Sequence, residues 1–284
     1  MNEQGLSQDR QQEATLFLPG QQGQAAIAAF ANNSQYQIRG LTRNPSSAAA
    51  KDLAAKGIEV VRADINNIDT ITAAFRGSHI IFAVIDFWTL YQQQGYEKAK
   101  ELERQQGINM VKAAAAVLTL EHYIWSTLGK TKQEHPVYHF EGKFDVEQTI
   151  RAEYPDLHAK TTFLLVCFYA NNLQIASLRL YWIETAGKYI QFTTYDPETV
   201  IPFIGDKVRN GAMVIASIAQ WTARKWVEEW ARAKGKMVQL EFALMMDYFR
   251  FVPVQEWVEP GVSFLTAEDL GVRPVQTMEE WART

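Results

Sequence analysis

The chain has 284 residues, of which 47% are hydrophobic and 21% charged, and its formal net charge is −4 at pH 7. This composition is typical of a globular protein with one large domain, or one domain and a small appendage. The acidic balance excludes a direct nucleic-acid partner, since no basic excess would neutralise phosphates, and no apolar run is long enough to span a membrane. The single cysteine, Cys167, excludes an internal disulfide and predicts a reducing, cytoplasmic compartment.

A glycine turn follows the first apolar segment of the sequence. The polar, glutamine-rich residues 1–12 predict a disordered lead, and residues 14–18 are an apolar run of strand length that ends at Pro19 and Gly20. A helix of small residues begins after Gly23. A strand, a glycine turn and a helix N-terminus form an anion site, because free N–H groups and the helix dipole point at the turn. The first glycine of the usual dinucleotide fingerprint is missing, so an ordinary tight turn is the alternative interpretation.

Six predicted strands alternate with helices over the first part of the chain. We expect strands at residues 14–18, 36–43, 57–64, 79–84, 122–126 and 161–166, with helices at 25–30, from 48, and at 68–75, 96–116 and 140–152. This alternation predicts an α/β fold, a doubly wound parallel sheet of the Rossmann type, over residues 13–166. Residues 167–284 are predicted to form a smaller, mixed substrate-binding region packed on it, with helices at 171–181, 208–220, 221–234, 266–270 and 277–281.

Ligands of such sheets bind at the carboxyl ends of the strands, and this rule selects candidate residues without a motif. Arg43 ends the second strand, where an arginine accommodates the 2′-phosphate of NADP and an acidic residue would favour NAD. The other strand ends supply Asp64 and Ile65 for adenine, Ile85, Asp86, Phe87 and Trp88 for the ribose or nicotinamide, and Ser126 and Thr127 for hydrogen bonds to substrate or cofactor. A solvated loop arginine and simple hydroxyl caps are the alternatives.

Lys143 lies early in the helix after the fifth strand, four residues after His139. A lysine in this place can hydrogen-bond a nicotinamide ribose and, through its charge, lower the pKa of a neighbouring acid. His139 would then deliver a proton; a surface lysine beside a capping histidine is the alternative. No metal is expected, because His135 and His139 lack a third ligand, and Cys167 lacks a base that would make it a nucleophile.

Taken together, these residues show that the chain resembles the NmrA-like family. This family contains atypical short-chain dehydrogenase/reductases, among them fungal nitrogen-regulation proteins and NADPH-sensing relatives. The resemblance begins near Leu18 and rests on the succession of Thr42-Arg43-Asn44-Pro45, Asp86-Phe87-Trp88, Gln106-Gly107, Trp125-Ser126-Thr127-Leu128, Tyr138-His139-Phe140-Glu141-Gly142-Lys143 and Phe168-Tyr169-Ala170-Asn171-Asn172. In this family the Tyr-x-x-x-Lys pair of ordinary short-chain dehydrogenases is absent, and His139 stands in the place of the tyrosine.

The resemblance implies NADP(H) as the cofactor and assigns it a set of contacts. These are Gly20, Gln22 and Gly23 at the pyrophosphate, Arg43 at the 2′-phosphate, Asp64 and Ile65 flanking adenine, Ile85, Asp86 and Phe87 at the ribose, Lys143 at the nicotinamide ribose, and Phe168, Tyr169 and Asn171 at the nicotinamide end. The substrate pocket would contain Trp88, Ser126, Thr127 and Asn172.

Three functions are compatible with a fungal-type member of this family. The first is a reductase that acts on an aromatic or alkaloid-like small molecule in secondary-metabolite biosynthesis, with His139 or Tyr138 as proton donor and Lys143 as ribose anchor. The second is a non-redox acid–base catalyst, for example of cyclisation through an iminium ion, with Asp86 or His139 as the acid–base group and the cofactor structural. The third is a regulator that senses NADP(H) without turnover and binds a protein partner.

Overall fold

The computed structural model describes residues 12–17, 20–31, 33–175, 178–184, 187–192, 198–203, 213–216, 219–236, 238–241 and 264–265. The chain divides into two compact units. The first consists of the chain up to residue 127 together with residues 141–163, and the second of residues 128–140 together with the chain from 164 onwards. The domain boundary predicted at residue 166 stays a prediction. No helix in the described ranges is long and apolar enough to cross a membrane.

The first unit contains a parallel sheet with the strand order of a doubly wound fold. Its strands are β1 (Gln12–Phe17), β2 (Tyr36–Thr42), β3 (Glu59–Arg62), β4 (Ile80–Ala83), β5 (His122–Thr127) and β6 (Thr161–Val166), the last of which continues into the second unit. The order is β3-β2-β1-β4-β5-β6, and the pairs β1–β2, β2–β3, β1–β4 and β4–β5 are parallel. The predicted α/β fold of Rossmann type is therefore confirmed.

Seven helices are described between or after these strands. They are α1 (Gly20–Ala31), α2 (Ala48–Ala55), α3 (Ile68–Phe75), α4 (Phe87–Gln94), α5 (Tyr96–Ala115), α6 (Tyr138–Glu153) and α7 (Pro155–His158). Because β1 pairs with β2 on one side and with β4 on the other, the connections diverge at β1. A crevice opens at the carboxyl ends of the strands at such a switch point, and ligands of open α/β sheets bind there.

Local signals account for the start of α2 and for a helix that the sequence analysis did not predict. The hydroxyl of Ser47 accepts a hydrogen bond from the backbone N–H of Ala50 at 3.3 Å and caps α2, as expected from the sequence. Asp86 caps the unpredicted helix α4 in the same way, accepting from the backbone N–H groups of Trp88 and Thr89. Gly95, with φ at 76°, ends α4 and begins α5. The short sequence of α4 has three glutamines and no continuous apolar stripe, so periodicity did not reveal it.

Two glycines allow helices α5 and α6 to approach each other closely. A Cβ added at Gly107 would overlap the side chain of Val146 and lie 3.1 Å from the Trp125 ring. A Cβ added at Gly142 would lie 2.6 Å from the Glu103 carboxylate. At both positions a larger residue would therefore force neighbouring side chains or the helices to shift.

The second unit contains short strands, one amphipathic helix and its own apolar cluster. Strand β7 (Tyr181–Ile183) is antiparallel to β8 (Lys188–Phe192), which is parallel to β12 (Val238–Glu241). Strand β9 (Val200–Phe203) is antiparallel to β11 (Ala219–Thr222), and β10 (Met213–Ala216) is parallel to β13 (Phe264–Leu265). Helix α8 (Ala223–Ala233) buries Trp226 and Val227 against Leu173, Leu178, Ile201 and Trp221.

Two of the helices predicted in this unit are wrong. In the range 171–181, the described residues contain a short 3-10 helix, Ala170–Gln174, and the start of β7. Residues 208–220 include β10 and the start of β11, because the apolar run Met213–Ala216 pairs with another strand. The helix predicted at 221–234 is confirmed as α8, which begins later because Thr222 caps it. The helices predicted at 266–270 and 277–281 lie outside the described residues.

Replacing Gly107 by alanine should destabilise the first unit, because the new methyl group would overlap Val146 and press on Trp125. We expect G107A to lower the free energy of unfolding by about 2 kcal/mol, in the usual range for an overpacked core. Urea unfolding at neutral pH measures the loss. The double variant G107A/V146A should lose less than the sum of the two single variants, because V146A makes room for the added methyl group. Strict additivity would show that the helices do not meet closely here.

Candidate functional site

A cavity of about 910 Å³ lies in the first unit at the carboxyl ends of the strands. Its walls come from α1, from the segments that follow β2, β3 and β4, from helices α2 and α4, and from one face of α5. The cavity therefore occupies the place at which the sheet topology predicts a ligand.

Arg43 lies on the wall of this cavity with an exposed side chain. Among the residues that the structure describes, its guanidinium has no hydrogen-bond or ion-pair partner. Arg39, on the preceding part of β2, shows the contrast, because it forms ion pairs with Glu13 at 2.5 Å and with Glu59 at 2.8 Å. The loop after Arg43 is ordered by Asn44, whose side-chain oxygen accepts a hydrogen bond from the backbone N–H of Ser46. Arg43 is thus free to bind an anion, while the loop that carries it is held in place.

The loop after β3 is held by its own side chains and by helix α5. The Asp64 carboxylate accepts hydrogen bonds from the backbone and side-chain nitrogens of Asn66 at 3.0 and 2.9 Å, so it shapes the turn. The Gln106 amide donates to the Asn66 side chain at 2.9 Å, and the Asn109 amide donates to the carbonyl of Ile65 at 3.0 Å. Ile65, Asn66 and Gln106 line the cavity. The sequence analysis used Gln106 only as part of a family motif and did not assign it to the site.

The glycine turn is described from Gly20 onwards, at the first residue of α1. Gly20 has a φ of 75°, a conformation that favours glycine, and Gly23 is buried within the helix. The first turn of α1 contains no acidic residue, so its backbone N–H groups and the helix dipole are available to an anion. The Ser126 hydroxyl donates to the Gln22 side chain at 2.7 Å. Two residues predicted in separate roles, one at the pyrophosphate and one at the substrate, are therefore in direct contact.

The segment after β4 combines a helix cap with an aromatic cluster, which we define as Phe87, Trp88, Tyr91 and Tyr96. Asp86 is exposed, but its carboxylate is engaged as the cap of α4 and also accepts from the Thr89 hydroxyl. Phe87 is buried, and its ring is nearly perpendicular to that of Trp88, with 5.6 Å between the ring centroids. Tyr91 and Tyr96 stack at 4.1 Å, and Trp88 is 50% exposed. The cluster thus presents aromatic surface directly after a predicted site residue.

Lys143 is buried, and its ammonium group is engaged by two acceptors. It donates to the backbone carbonyl of Ile85 at 2.9 Å and forms a shorter hydrogen-bonded ion pair with Glu103. The lysine is 6% exposed, so the interpretation as a surface lysine is wrong. Burial raises the pKa of Glu103, the Lys143 charge lowers it, and the Asp86 charge adds a smaller upward contribution. Glu103 was missed because it lies 40 residues from Lys143 in the sequence, with no motif to connect the two.

The other candidates lie within the second unit or in the interior of the sheet. The ring of half-buried His139 meets Phe140 edge-on at 4.8 Å, next to Tyr138 at the start of α6. The Phe168 ring meets Trp226 edge-on at 5.4 Å, and the backbone carbonyl of Tyr169 accepts from the N–H of Asn172 at 3.0 Å. The remaining candidates are Asn171 in the 3-10 helix and the buried Thr127. The roles predicted for these residues stay predictions.

Cys167, the single cysteine of the chain, is buried. Burial raises the pKa of the Cys167 thiol, so the thiolate is disfavoured at neutral pH. The described part of the chain contains no group of three or more His, Cys, Asp and Glu side chains that could hold a metal ion.

The sequence from residue 18 to 245 matches the NmrA-like family, and the chain belongs to this family. An NmrA-like family domain-containing oxidoreductase from Aspergillus hancockii is 32% identical over 108 residues, which are 38% of this chain and 31% of that protein. A protein of the same description from Aspergillus campestris is 40% identical over 63 residues, 22% of this chain and 19% of that protein. The matched stretches thus span about a third or less of the length of these curated relatives.

Solved structures share the fold at low sequence identity. The structure of NmrA, a negative transcriptional regulator, in complex with NADP has a TM-score of 0.72 at 18% identity, and the match covers 96% of this chain and 95% of that one. An NADPH-dependent quinone oxidoreductase from Escherichia coli, complexed with NADPH, has a TM-score of 0.66 at 18% identity, covering 95% and 98%. At such identities the likeness shows the fold, and both of these proteins hold a phosphorylated nicotinamide cofactor.

Replacing Lys143 by methionine should make the stability of the protein more dependent on pH. Without the lysine, burial and, to a smaller extent, the Asp86 charge act on Glu103 unopposed, so its folded-state pKa rises further above the unfolded value. A raised pKa gives stability that is present below the unfolded pKa and is lost as the pH rises through the folded pKa. The penalty of K143M relative to the wild type should therefore be small near pH 5 and grow to about 3 kcal/mol at pH 8.

Chemical denaturation across this pH range measures the difference between variant and wild type. The matched control is K98M, because Lys98 forms an exposed ion pair with Glu101 in the same helix, α5. Its penalty should be small and independent of pH. A pH-independent penalty for K143M would contradict the buried ion pair.

Proposed function

We propose that the protein is an NADP(H)-binding reductase that acts on an aromatic or alkaloid-like small molecule in secondary-metabolite biosynthesis. The observation that carries this proposal is the cavity beside Arg43, whose guanidinium has no other partner among the described residues. Thr42, Arg43 and Asn44 place no carboxylate at the end of β2, so a ribose 2′-phosphate is preferred there over a free hydroxyl. The oxidoreductase names of the fungal relatives support the same class of reaction.

The residues of the first unit fit this cofactor in size and in chemistry. The cavity volume of about 910 Å³ lies within the range of small-molecule sites and would accommodate the adenosine half with its 2′-phosphate. The N-terminus of α1, which begins at Gly20 without an acidic residue, would hold the pyrophosphate. Ile65 would cover one face of the adenine with apolar surface. When bound, NADPH would supply the hydride, and the chain would bind and orient it.

The proton for the reduced product would come from the start of α6. His139 and Tyr138 precede Lys143 by about one helical turn, so a proton donor and a ribose anchor would share one helix. Asp86 is less suited as an acid, because its carboxylate already accepts three hydrogen bonds as the cap of α4. In this assignment Asp86 shapes the segment after β4, and His139 or Tyr138 donates the proton.

The aromatic cluster supports an aromatic substrate. Trp88 is half exposed and rests against Phe87 and Tyr91, so its ring orientation is supported from within the cluster. A preoriented exposed ring binds a flat ligand at low conformational cost, and offset or edge-to-face contacts contribute about 1 kcal/mol each beyond buried area. A planar heteroaromatic substrate suits this surface better than a sugar or an amino acid.

Replacing Arg43 by alanine should weaken NADPH binding by about 10- to 100-fold, because a charge-assisted contact to the 2′-phosphate is lost. NADH affinity should stay within about twofold of the wild type, since that cofactor has no 2′-phosphate. Fluorescence titration at one fixed ionic strength measures both constants. The matched control is R62A, because Arg62 is exposed at the end of the neighbouring strand β3 and does not line the cavity. Equal losses in R43A and R62A would indicate general electrostatics instead of a specific contact.

Replacing His139 by glutamine should lower the rate of NADPH-dependent reduction by about 100-fold and leave NADPH binding intact, if His139 is the proton donor. Loss of NADPH absorbance in the presence of aromatic imines, carbonyl compounds and quinones measures the rate, and Y138F is the matched comparison at the neighbouring position. A larger effect in Y138F would transfer the role of proton donor to Tyr138.

Two outcomes would replace the reductase with the other hypotheses. Product formation without NADPH consumption would indicate a non-redox acid–base catalyst in which the cofactor is structural. Tight NADPH binding without turnover on any of these compounds, together with a stoichiometric protein complex, would indicate a regulator.

A further inference from the structure

The ion pair between Glu103 and Lys143 lies behind residues that line the cavity, although neither partner lines it. Leu102 and Gln106, which flank Glu103 on helix α5, line the cavity, and so does Asp86, which follows the carbonyl that Lys143 contacts. Glu103 itself is completely buried. Its carboxylate fits between the helices because residue 142 is a glycine, where a Cβ would lie 2.6 Å from one carboxylate oxygen.

The Lys143 ammonium has one N–H donor left for a ligand. An ammonium group has three N–H donors. In the described structure one goes to the Ile85 carbonyl and one to the Glu103 carboxylate. The third N–H has no acceptor among the described residues. The ammonium is therefore held from two sides in a fixed place, with one donor left over.

A contribution to folding stability does not by itself explain why Glu103 and Lys143 form a buried ion pair. Removing two charges from water costs several kcal/mol per ion, and well-packed apolar residues of similar volume often give an equally stable protein. One of the Glu103 carboxylate oxygens is also buried without a hydrogen-bond partner, which adds to the cost. By this general rule a buried ion pair adds little net stability, although removal of one partner is costly, so its place next to cavity-lining residues points to a role in the bound state.

We propose that Glu103 is a positioning residue for the cofactor: it fixes the Lys143 ammonium at the end of β4, so that the remaining N–H meets a hydroxyl of the nicotinamide ribose. This inference rests on the proposed function. Because the carboxylate balances the lysine charge, Lys143 acts as an oriented hydrogen-bond donor with little net charge. The lysine would then contribute geometry to the reaction, and it would have little effect on the acidity of a neighbouring proton donor.

The test compares two ligands across a double-mutant cycle of E103Q, K143M and E103Q/K143M. NADPH contains the nicotinamide ribose, whereas adenosine 2′,5′-bisphosphate contains only the part expected in the cavity beside Arg43. We expect E103Q and K143M each to weaken NADPH binding by about tenfold, because a neutral amide holds the ammonium less firmly than a carboxylate does. The double variant should bind NADPH as K143M does, since Glu103 acts only through the lysine.

Adenosine 2′,5′-bisphosphate should bind all three variants within about twofold of the wild type, which also shows that the cavity is intact. The matched control is E101Q, because Glu101 lies in the same helix and forms an exposed pair with Lys98. This variant should leave both affinities within about twofold of the wild type. If E103Q does not fold, E103D replaces it: the retracted carboxylate should weaken NADPH binding and spare the bisphosphate.

Three results would overturn the inference. The first is unchanged NADPH affinity in the Glu103 variant, and the second is an equal loss of affinity for NADPH and for the bisphosphate. The third is a loss of NADPH affinity of about 100-fold in the double variant, which is the product of the two single losses. Failure of the NADP(H) binding on which the proposed function depends looks different, since wild-type protein would then bind neither ligand. If the wild type binds both ligands and the Glu103 variant behaves like the wild type, only the role of Glu103 is wrong.

Discussion

Helix α5 packs closely on α6 at residues 107 and 142, where glycines leave no room for a Cβ, and this contact organises the candidate site. With the helices at this distance, Glu103 reaches Lys143 across the contact. A few residues further along the same helix, Gln106 and Asn109 hold the loop that follows β3. One helix thus supports both the loop after β3, which is proposed to contact the adenine, and the lysine that is proposed to contact the nicotinamide ribose. A small rotation of α5 would disturb both.

Several polar residues near the strand ends already have structural hydrogen bonds. Asp64 shapes its turn, Asp86 caps α4, and Ser126 contacts Gln22. A side chain that holds the backbone in place can still contact a ligand, but it gives up part of its own hydrogen-bonding capacity. Arg43 differs from these residues, because no described group competes for its guanidinium. This difference makes Arg43 the strongest single indication of what the cavity binds.

The order of elements in the first unit could be predicted, because six apolar segments alternate with helices and glycine turns. Helix α4 could not, since its start depends on the side chain of Asp86, which the sequence analysis assigned to a ligand. The second unit was predicted less well. Short strands such as β10 depend on pairing with distant segments, as β10 pairs with β13. The local sequence pattern does not reveal which segment will be the partner.

The candidate site also contains features that depend on contacts between distant segments and could not be predicted from the sequence. The position of Arg43 followed from the rule that ligands bind at strand ends, and Lys143 was selected by its place early in the helix after the fifth strand and again by the family resemblance. The burial of Lys143 and its partner Glu103 depend on how α5 and α6 meet, which no periodicity contains. The glycine at 107 did appear in the sequence as part of a family motif, and the structure supplies its physical reason: it keeps α5 close to Val146 and Trp125.

The guanidinium of Arg43, which has no partner among the described residues, has a consequence for any regulatory role of the protein. The 2′-phosphate is the same in the oxidised and the reduced cofactor. A contact at this phosphate would therefore distinguish NADP(H) from NAD(H), but it would not distinguish the oxidised from the reduced form. Discrimination between the two redox states has to come from the nicotinamide end, where the ring changes its charge and planarity. In a protein of this design, cofactor identity and redox state would therefore be sensed by separate groups, some distance apart along one extended ligand.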